Sequence, residues 1–228
     1  MTGKRIAIVA VIVAVLCAAW FYGGRYATGG DSRPTPTPGG TTPIGETPTD
    51  AGGMIIDPET GKDRYLTDPV PSDKPLPVEP QDVTPGDTEL TCVISVRCDT
   101  ILGNMDLLDR EKWELVPEDG VILAETTAVF YEGESVFDVL RREMKLAGIH
   151  LEFMNTPIYN SAYIEGMNNL YEFDVGELSG WMYKVNDWFP NYGCSRYQLK
   201  AGDVIEWIYT CELGSDIGGE WAAGVQQH

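Results

Sequence analysis

Proline is the feature that most limits what this chain can fold into. Twelve of its fifteen prolines fall between residues 27 and 88, mixed with Gly, Thr and Asp. Proline fixes its own φ, lacks a main-chain donor and biases the preceding residue away from helix, so regular structure with a core is disfavoured across that stretch. RPTPTPGGTTPIGETPTD has too little apolar surface to offset the entropy of ordering. Residues 27–88 are therefore expected to be a disordered Pro-rich linker. Extended proline-rich chain rises about 3.1 Å per residue, and a flexible coil of this length averages about 45 Å end to end. Met54-Ile55-Ile56 is the one apolar island in it, a candidate docking strand.

The linker divides two unlike pieces. Before it, Lys4 and Arg5 precede an unbroken apolar run from Ile6 to Tyr22 that closes on Trp20, Phe21 and Tyr22. Such a run is at the short end of what spans a bilayer, about 17–25 residues, and long for the apolar part of a cleaved leader, about 7–15. Residues 1–26 read as a transmembrane signal anchor, with a cleaved signal peptide as the alternative. Positive charge before the run places the remainder outside the cytoplasm: a cell-membrane protein with an extracytoplasmic domain, or a secreted one if the segment is removed. After the linker, residues 89–214 carry the folded domain and 215–228 a flexible Gly-rich tail.

Net charge is −19, with 35 Asp and Glu against 16 Lys and Arg. A protein needs cations to displace counterions from phosphates, so nucleic acid is excluded as a partner.

Within the domain, TCVISVRC (91–98) alternates with period two and reads as a strand, as does VILAETTAVFY (121–131). NMDLLDREKWEL is left open between a short helix and a loop. Ser135 caps a helix with Asp138 as its reciprocal partner. Val136, Phe137, Val139, Leu140, Met144 and Ala147 follow at helical spacing, and Gly148 stops it. HLEF (150–153) is a short strand. A long segment, 154–178, separates it from a hairpin: GWMYKV, an Asn186-Asp187 turn at positive φ, then Trp188-Phe189-Pro190. LKAGDVIEWIYTC adds a turn at Ala201-Gly202 and a last strand. This order predicts an α+β fold, a β-grasp-like mixed sheet packed on one main helix, with first and last strands parallel in the middle.

Four cysteines lie outside the apolar run, an even number in a chain read as exported, which suggests disulfides. Cys92 and Cys98 share a strand face. With first and last strands parallel, the favoured pairing is Cys98–Cys211 and Cys92–Cys194, with free buried thiols as the alternative. Closing a loop of roughly 100 residues contributes up to about 4.7 kcal/mol in the chain-entropy view. No pair has the close spacing of a metal ribbon, and no metal site is expected.

Residues 179–195, SGWMYKVNDWFPNYGCS, concentrate aromatic rings around a turn. Trp181 and Trp207 are expected in the core. Trp188, Phe189, Asn191 and Tyr192 follow the turn in loop-like chain, where rings offer flat faces and Asn a polar edge to a ligand. Tyr183 on the strand, with Tyr159 and Tyr163 from the long segment, completes the candidate ligand-facing set. Only two histidines are present, and neither a nucleophile elbow nor a phosphate-binding glycine loop occurs, so the chain is read as non-enzymatic.

GESVFDVL (133–140), SGWMYKVND (179–187), FPNYGCS (189–195) and LKAGDVIEWIY (199–209) together resemble the transcobalamin-like C-terminal domain family of bacterial extracytoplasmic modules. That family is similar to the small domain of the vitamin B12 carriers transcobalamin and intrinsic factor. The resemblance covers about residues 90–214. It implies a β-grasp domain and a cobalamin or other corrinoid as bound ligand rather than cofactor. The carriers close their small domain against a large helical barrel. This chain has no room for one, so a corrinoid site here would be half a site or need a second chain. The alternative reading is a cell-surface adhesion or assembly module that binds a protein or glycan.

Overall fold

In a computed structural model of the chain, the structure describes Thr49 and residues 53–219, all within one compact unit spanning Glu46–His228. The expected anchor, most of the linker's first half and the end of the tail lie outside the described residues. Among the described residues no helix is long and apolar enough to cross a membrane.

The domain is mixed α and β. Its main sheet contains β1 (Glu89–Arg97), β2 (Val121–Tyr131), β6 (Gly180–Val185) and β7 (Val204–Thr210), in the order β2-β1-β7-β6. β1 and β7 run parallel, with Ile94 opposite Ile205 and Val96 opposite Trp207. β2 and β6 flank them antiparallel. The first and last strands are thus central, as their apolar composition requires: a strand paired on both edges and covered on one face must be rich in β-branched and aromatic residues.

The one α-helix among the described residues, α1 (Val136–Ala147), is fixed by local chemistry at both ends. Asp138 N–H donates to Ser135 Oγ at 3.3 Å, and Ser135 N–H donates to Asp138 Oδ2 at 3.0 Å. Gly148 ends it in the left-handed region at φ 69°. Its buried stripe, Val136, Phe137, Val139, Leu140 and Met144, joins one core with Cys92, Ile94, Val96, Ile205 and Trp207.

The long segment after the helix is not loop. It forms a second antiparallel sheet of β3 (Leu151–Thr156), β4 (Ser161–Met167) and β5 (Leu170–Tyr171), in the order β3-β4-β5. β4 has buried residues on both faces, Ala162 and Ile164 as well as Ser161, which removes the simple alternation a sequence reading relies on. Residues 110–115, NMDLLDREKWEL's later half, form a 3-10 turn. The Asn186-Asp187 turn is as expected, at φ 50° and 62°, but beyond it the return is a single bridge from Val185 to Trp188 rather than a strand.

The folded unit also begins earlier than Glu89. Met54 and Val70 are buried in the main core. Gly86 N–H donates to Glu132 O at 2.7 Å and Val78 N–H to Arg196 O at 2.9 Å. Ile55 bridges Thr49 and stays exposed, while Met54 is buried in the core and Ile56 packs half-buried against it. The strap formed by residues 53–88 is held chiefly by polar contacts with residues over a hundred positions away. Composition reports apolar content and has no access to such contacts.

All four domain cysteines are free, buried thiols, so neither expected bridge is formed. Each expected pair does share a core cluster: Cys92 with Cys194, and Cys98 with Cys211. Burial pushes the Cys92 thiol up to about 11 and Cys98 up to about 12, and Cys211 adds slightly to the latter.

Candidate functional site

The site grows from the edge of the main sheet. β6 pairs with β7 on one side only. Register sets Tyr183 opposite Trp207 and Trp181 opposite Tyr209, with ring centroids 5.3 Å and 5.1 Å apart. Aromatic cross-strand pairs of this kind stabilise a sheet while presenting a continuous ring surface. Tyr183 OH donates to Tyr192 O at 2.8 Å, tying the following loop to the strand.

Beside this surface is a cavity of about 530 Å³. Its floor includes Trp181, Tyr183 and Trp207. β4 contributes Ser161 to Ile164, the loop contributes Pro190 to Cys194, and the strap contributes Tyr65 to Thr67. The volume falls in the range of about 300–1,000 Å³ usual for small-molecule sites. Six lining residues are apolar or aromatic and exposed: Phe173 (62%), Leu178 (54%), Tyr159 (52%), Tyr163 (45%), Leu66 (41%) and Leu213 (39%).

Three buried polar atoms among the described residues have no hydrogen-bond partner: Asn191 Oδ1, Arg196 Nε and Trp207 Nε1. All three belong to side chains that line this cavity, and Arg196 also lines a second one beside the start of α1. Leaving a buried polar group unpaired costs about 1–3 kcal/mol. The Asn191 amide orientation is set by Nδ2, which donates to Asp68 O at 3.0 Å and leaves Oδ1 as the free acceptor.

Arg196 organises the strap wall. Its Nη2 donates to Asp63 Oδ2 at 2.6 Å and to Glu79 Oε1 at 2.7 Å, and its Nη1 donates to Thr67 Oγ1 at 2.6 Å. The guanidinium also lies over the Tyr65 ring at 5.1 Å. It is 1% exposed, and among the described residues it is the one Lys or Arg lining the cavity. Two carboxylates oppose this single cation, and Glu172 and Glu177 add further negative charge to the lining. Burial and then the Glu172 carboxylate, which accepts from Tyr163 OH, push the Tyr163 phenol up; burial does the same for Tyr183. Both remain neutral donors. Burial also pushes the Cys194 thiol up to about 12, which keeps it protonated and a poor nucleophile.

Of the residues expected to face a ligand, Tyr183, Asn191, Tyr192, Tyr159 and Tyr163 are brought together here. Trp188 and Phe189 are not in the lining. Both are buried, Trp188 within 6.0 Å of the Tyr192 ring and 6.3 Å of Tyr197, with Lys74 Nζ at 5.9 Å. Expected in the core, Trp181 and Trp207 both pack and line the cavity. Arg196, Tyr65, Phe173 and Leu178 carry no signal in the sequence reading. The nearest to one is Arg196, a lone cation in the aromatic run GCSRY.

A second cavity of about 520 Å³ lies between the strap and the start of α1. Among its polar residues, Asp138 is engaged by Ser135, and Asn160 by Glu79 and Gln81. Among the described residues no three His, Cys, Asp or Glu side chains gather in a metal-holding arrangement.

Residues 133–210, about a third of the chain, match a family profile described as "Domain of unknown function (DUF4430)". No curated protein matches the chain. Among solved structures it is similar to haptocorrin in complex with Cbi, at 13% identity and a TM-score of 0.42, covering 57% of this chain and 27% of that one. The chain thus spans about a quarter of the haptocorrin it matches. It is also similar to a protein from Ruminococcus gnavus ATCC 29149 described as a "putative metal binding protein", at 14% identity and a TM-score of 0.32, covering 53% and 96% respectively.

Proposed function

We propose that this protein is a non-catalytic ligand-binding module, carried outside the cytoplasm on its N-terminal segment, whose cavity beside β6 holds a small amphipathic molecule. One observation carries the reading: a cavity of small-molecule size, about 530 Å³, is lined by the rings of Trp181, Tyr183, Trp207, Tyr159, Tyr163 and Tyr192. The rings supply apolar contact, and polar groups of the lining such as the Tyr159 hydroxyl and the Glu172 carboxylate supply the few polar contacts that fix orientation. A corrinoid is the named candidate, on the resemblance of the four motifs between Gly133 and Tyr209. A cavity of about 530 Å³ takes one edge of such a ligand and leaves the remainder to the exposed rim or to a second chain.

Calorimetric titration of the Glu46–His228 unit with cobinamide and cobalamin tests this. Micromolar or tighter binding that is lost in a folded Trp181→Ala variant supports the reading. A folded protein that binds neither refutes the corrinoid assignment. A second reading rests on the rim: six exposed apolar or aromatic residues lining one cavity also suit a protein or glycan partner of an adhesion or assembly module. Corrinoid-independent capture by a defined surface glycan or protein, abolished by Phe173→Ser with Leu178→Ser, would favour it.

A further inference from the structure

The lining of the cavity beside β6 is strained in a way that packing does not offset. Among the described residues eight other than glycine hold positive φ, and five of them are Asn or Asp, which tolerate it. The remaining three are bulky and apolar: Leu66 at φ 63°, Phe173 at 67° and Leu213 at 49°. All three are exposed, and all three line this cavity. A bulky side chain in the left-handed region costs about 1–2 kcal/mol, and apolar surface left in water offsets little of it. Strain gathered at one site in this way points to function. We infer that the cavity takes an organic cation with a bulky apolar body, gripped by Phe173, Leu178, Leu213 and Leu66. This rests on the cavity being a small-molecule site.

Main-chain bonds bring the apolar residues together. Phe173 N–H donates to Ser179 O at 3.0 Å and Leu213 N–H to Leu178 O at 2.8 Å, so Phe173 and Leu213 are both tied to the 178–179 segment. Leu178 is itself exposed and in the lining, and Leu66 joins from the strap wall. Tyr159 and Tyr163 add exposed rings to the same lining, and ring faces attract cations.

Charge sets the rest. Glu172 and Glu177 directly precede Phe173 and Leu178 in the chain and also line the cavity. Glu172 accepts from Tyr163 OH, which holds its carboxylate within the lining. Arg196, the one Lys or Arg of the lining among the described residues, is matched twice, by Asp63 Oδ2 at 2.6 Å and by Glu79 Oε1 at 2.7 Å. The cavity and its strap wall are therefore net negative. In a partly desolvated space that excess attracts a cation and repels an anion more strongly than it would in water.

Phenethylamine, phenethyl alcohol and phenylacetate are matched ligands: one phenyl body carrying a cation, a neutral hydroxyl or an anion at neutral pH. Each is titrated into the Glu46–His228 unit and followed by amide shifts in NMR, with a melting curve for every variant. Phenethylamine is expected to bind at least about tenfold more tightly than phenylacetate, with the alcohol between them. Glu172→Gln combined with Glu177→Gln is expected to shrink that ratio at least threefold. Phe173→Gly and Leu213→Gly each supply the residue that holds positive φ freely. Tm is therefore expected to stay level or rise in both, while phenethylamine binding weakens at least threefold. A fall in Tm would show the two side chains to be structural and would overturn the inference. Equal affinities, a preference for phenylacetate, an unchanged ratio in the folded double variant, unchanged binding in the glycine variants, or no binding by any of the three would also overturn it. So would self-association of the unit in sedimentation that Phe173→Gly abolishes, which would assign the rim to a second copy. Corrinoid titration judges the cavity itself separately, so a corrinoid-binding protein indifferent to the sign of charge would sink only this step.

Discussion

Replacing Asp63 with Ala is the most informative single change, because one carboxylate does three jobs. It accepts from Arg196 Nη2 at 2.6 Å, and its other oxygen accepts from the N–H groups of Tyr65 and Thr67, both at 2.8 Å. Arg196 is 1% exposed and Asp63 8%, so the pair is screened little by solvent. Removing one partner of a buried pair typically costs about 3–5 kcal/mol. Glu79 stays beside Arg196 and holds the ionic part to the low end, about 2–3 kcal/mol. Two main-chain donors lose their acceptor, adding about 1–2 kcal/mol in total. The sum is about 4 kcal/mol, a large share of the about 5–15 kcal/mol that keeps a domain folded. For a unit of this size it lowers Tm by about 8–16 °C. Asp63→Asn keeps an acceptor for the turn and should lose about half as much. Thermal and urea unfolding of the Glu46–His228 unit, read by circular dichroism, measures both. A loss under about 1 kcal/mol in Asp63→Ala would refute the claim that the strap belongs to the folded unit.

Other consequences are as direct. Ser135→Ala should cost about 1 kcal/mol by removing the helix cap, with Ser135→Thr nearly neutral; equal stability of Ala and Ser would contradict the capping geometry. Gly193→Ala should cost about 1–3 kcal/mol or more, because a Cβ there would lie 2.1 Å from Ser161 Oγ; an unchanged Tm would show that β4 yields freely. Burial raises the Cys92, Cys98 and Cys194 thiols from about 9 to about 11, 12 and 12, so the folded state keeps protons that the unfolded chain releases. Their contribution is fully present below pH 9 and is lost as pH climbs toward 11–12. The reduced protein should therefore show Tm falling steadily above pH 9, and a flat profile to pH 11 would refute buried, protonated thiols.

The parts legible in the sequence are those fixed within a few residues. Ser135, Asp138 and Gly148 announce α1 because capping is local chemistry. Asn186-Asp187 announces its turn because few residues accept positive φ in succession. β1 and β7 were legible from their apolar content, and their parallel, central placement follows from the order of elements. β4 was not, because it is buried on two sides and its pattern lacks a clean period. The strap was hidden for a different reason: what holds it is Arg196 meeting Asp63, Thr67 and Glu79, more than a hundred positions apart in the chain. Half the cavity was visible as an aromatic run. Trp188 and Phe189 misled because loop position says nothing about which way a ring packs; here they close the loop against Tyr192, Tyr197 and the strap. Arg196 was missed because one charge in an aromatic stretch is ordinary until its partners are known.

The central pair of strands has a consequence for how the chain reaches this state. β1 opens the main sheet and β7 finishes it, so the innermost pairing joins segments about 110 residues apart. Loop closure on that scale must precede the contacts that reward it. A chain whose synthesis has stopped short of Thr210 leaves β1 with one bare edge and the core without Ile205 and Trp207. Early segments accordingly have little to collapse onto, and the decisive event falls at the very end of elongation. A ribosome stalled before that strand would carry a largely open, protease-sensitive chain, whereas one released a few residues later would yield a resistant domain.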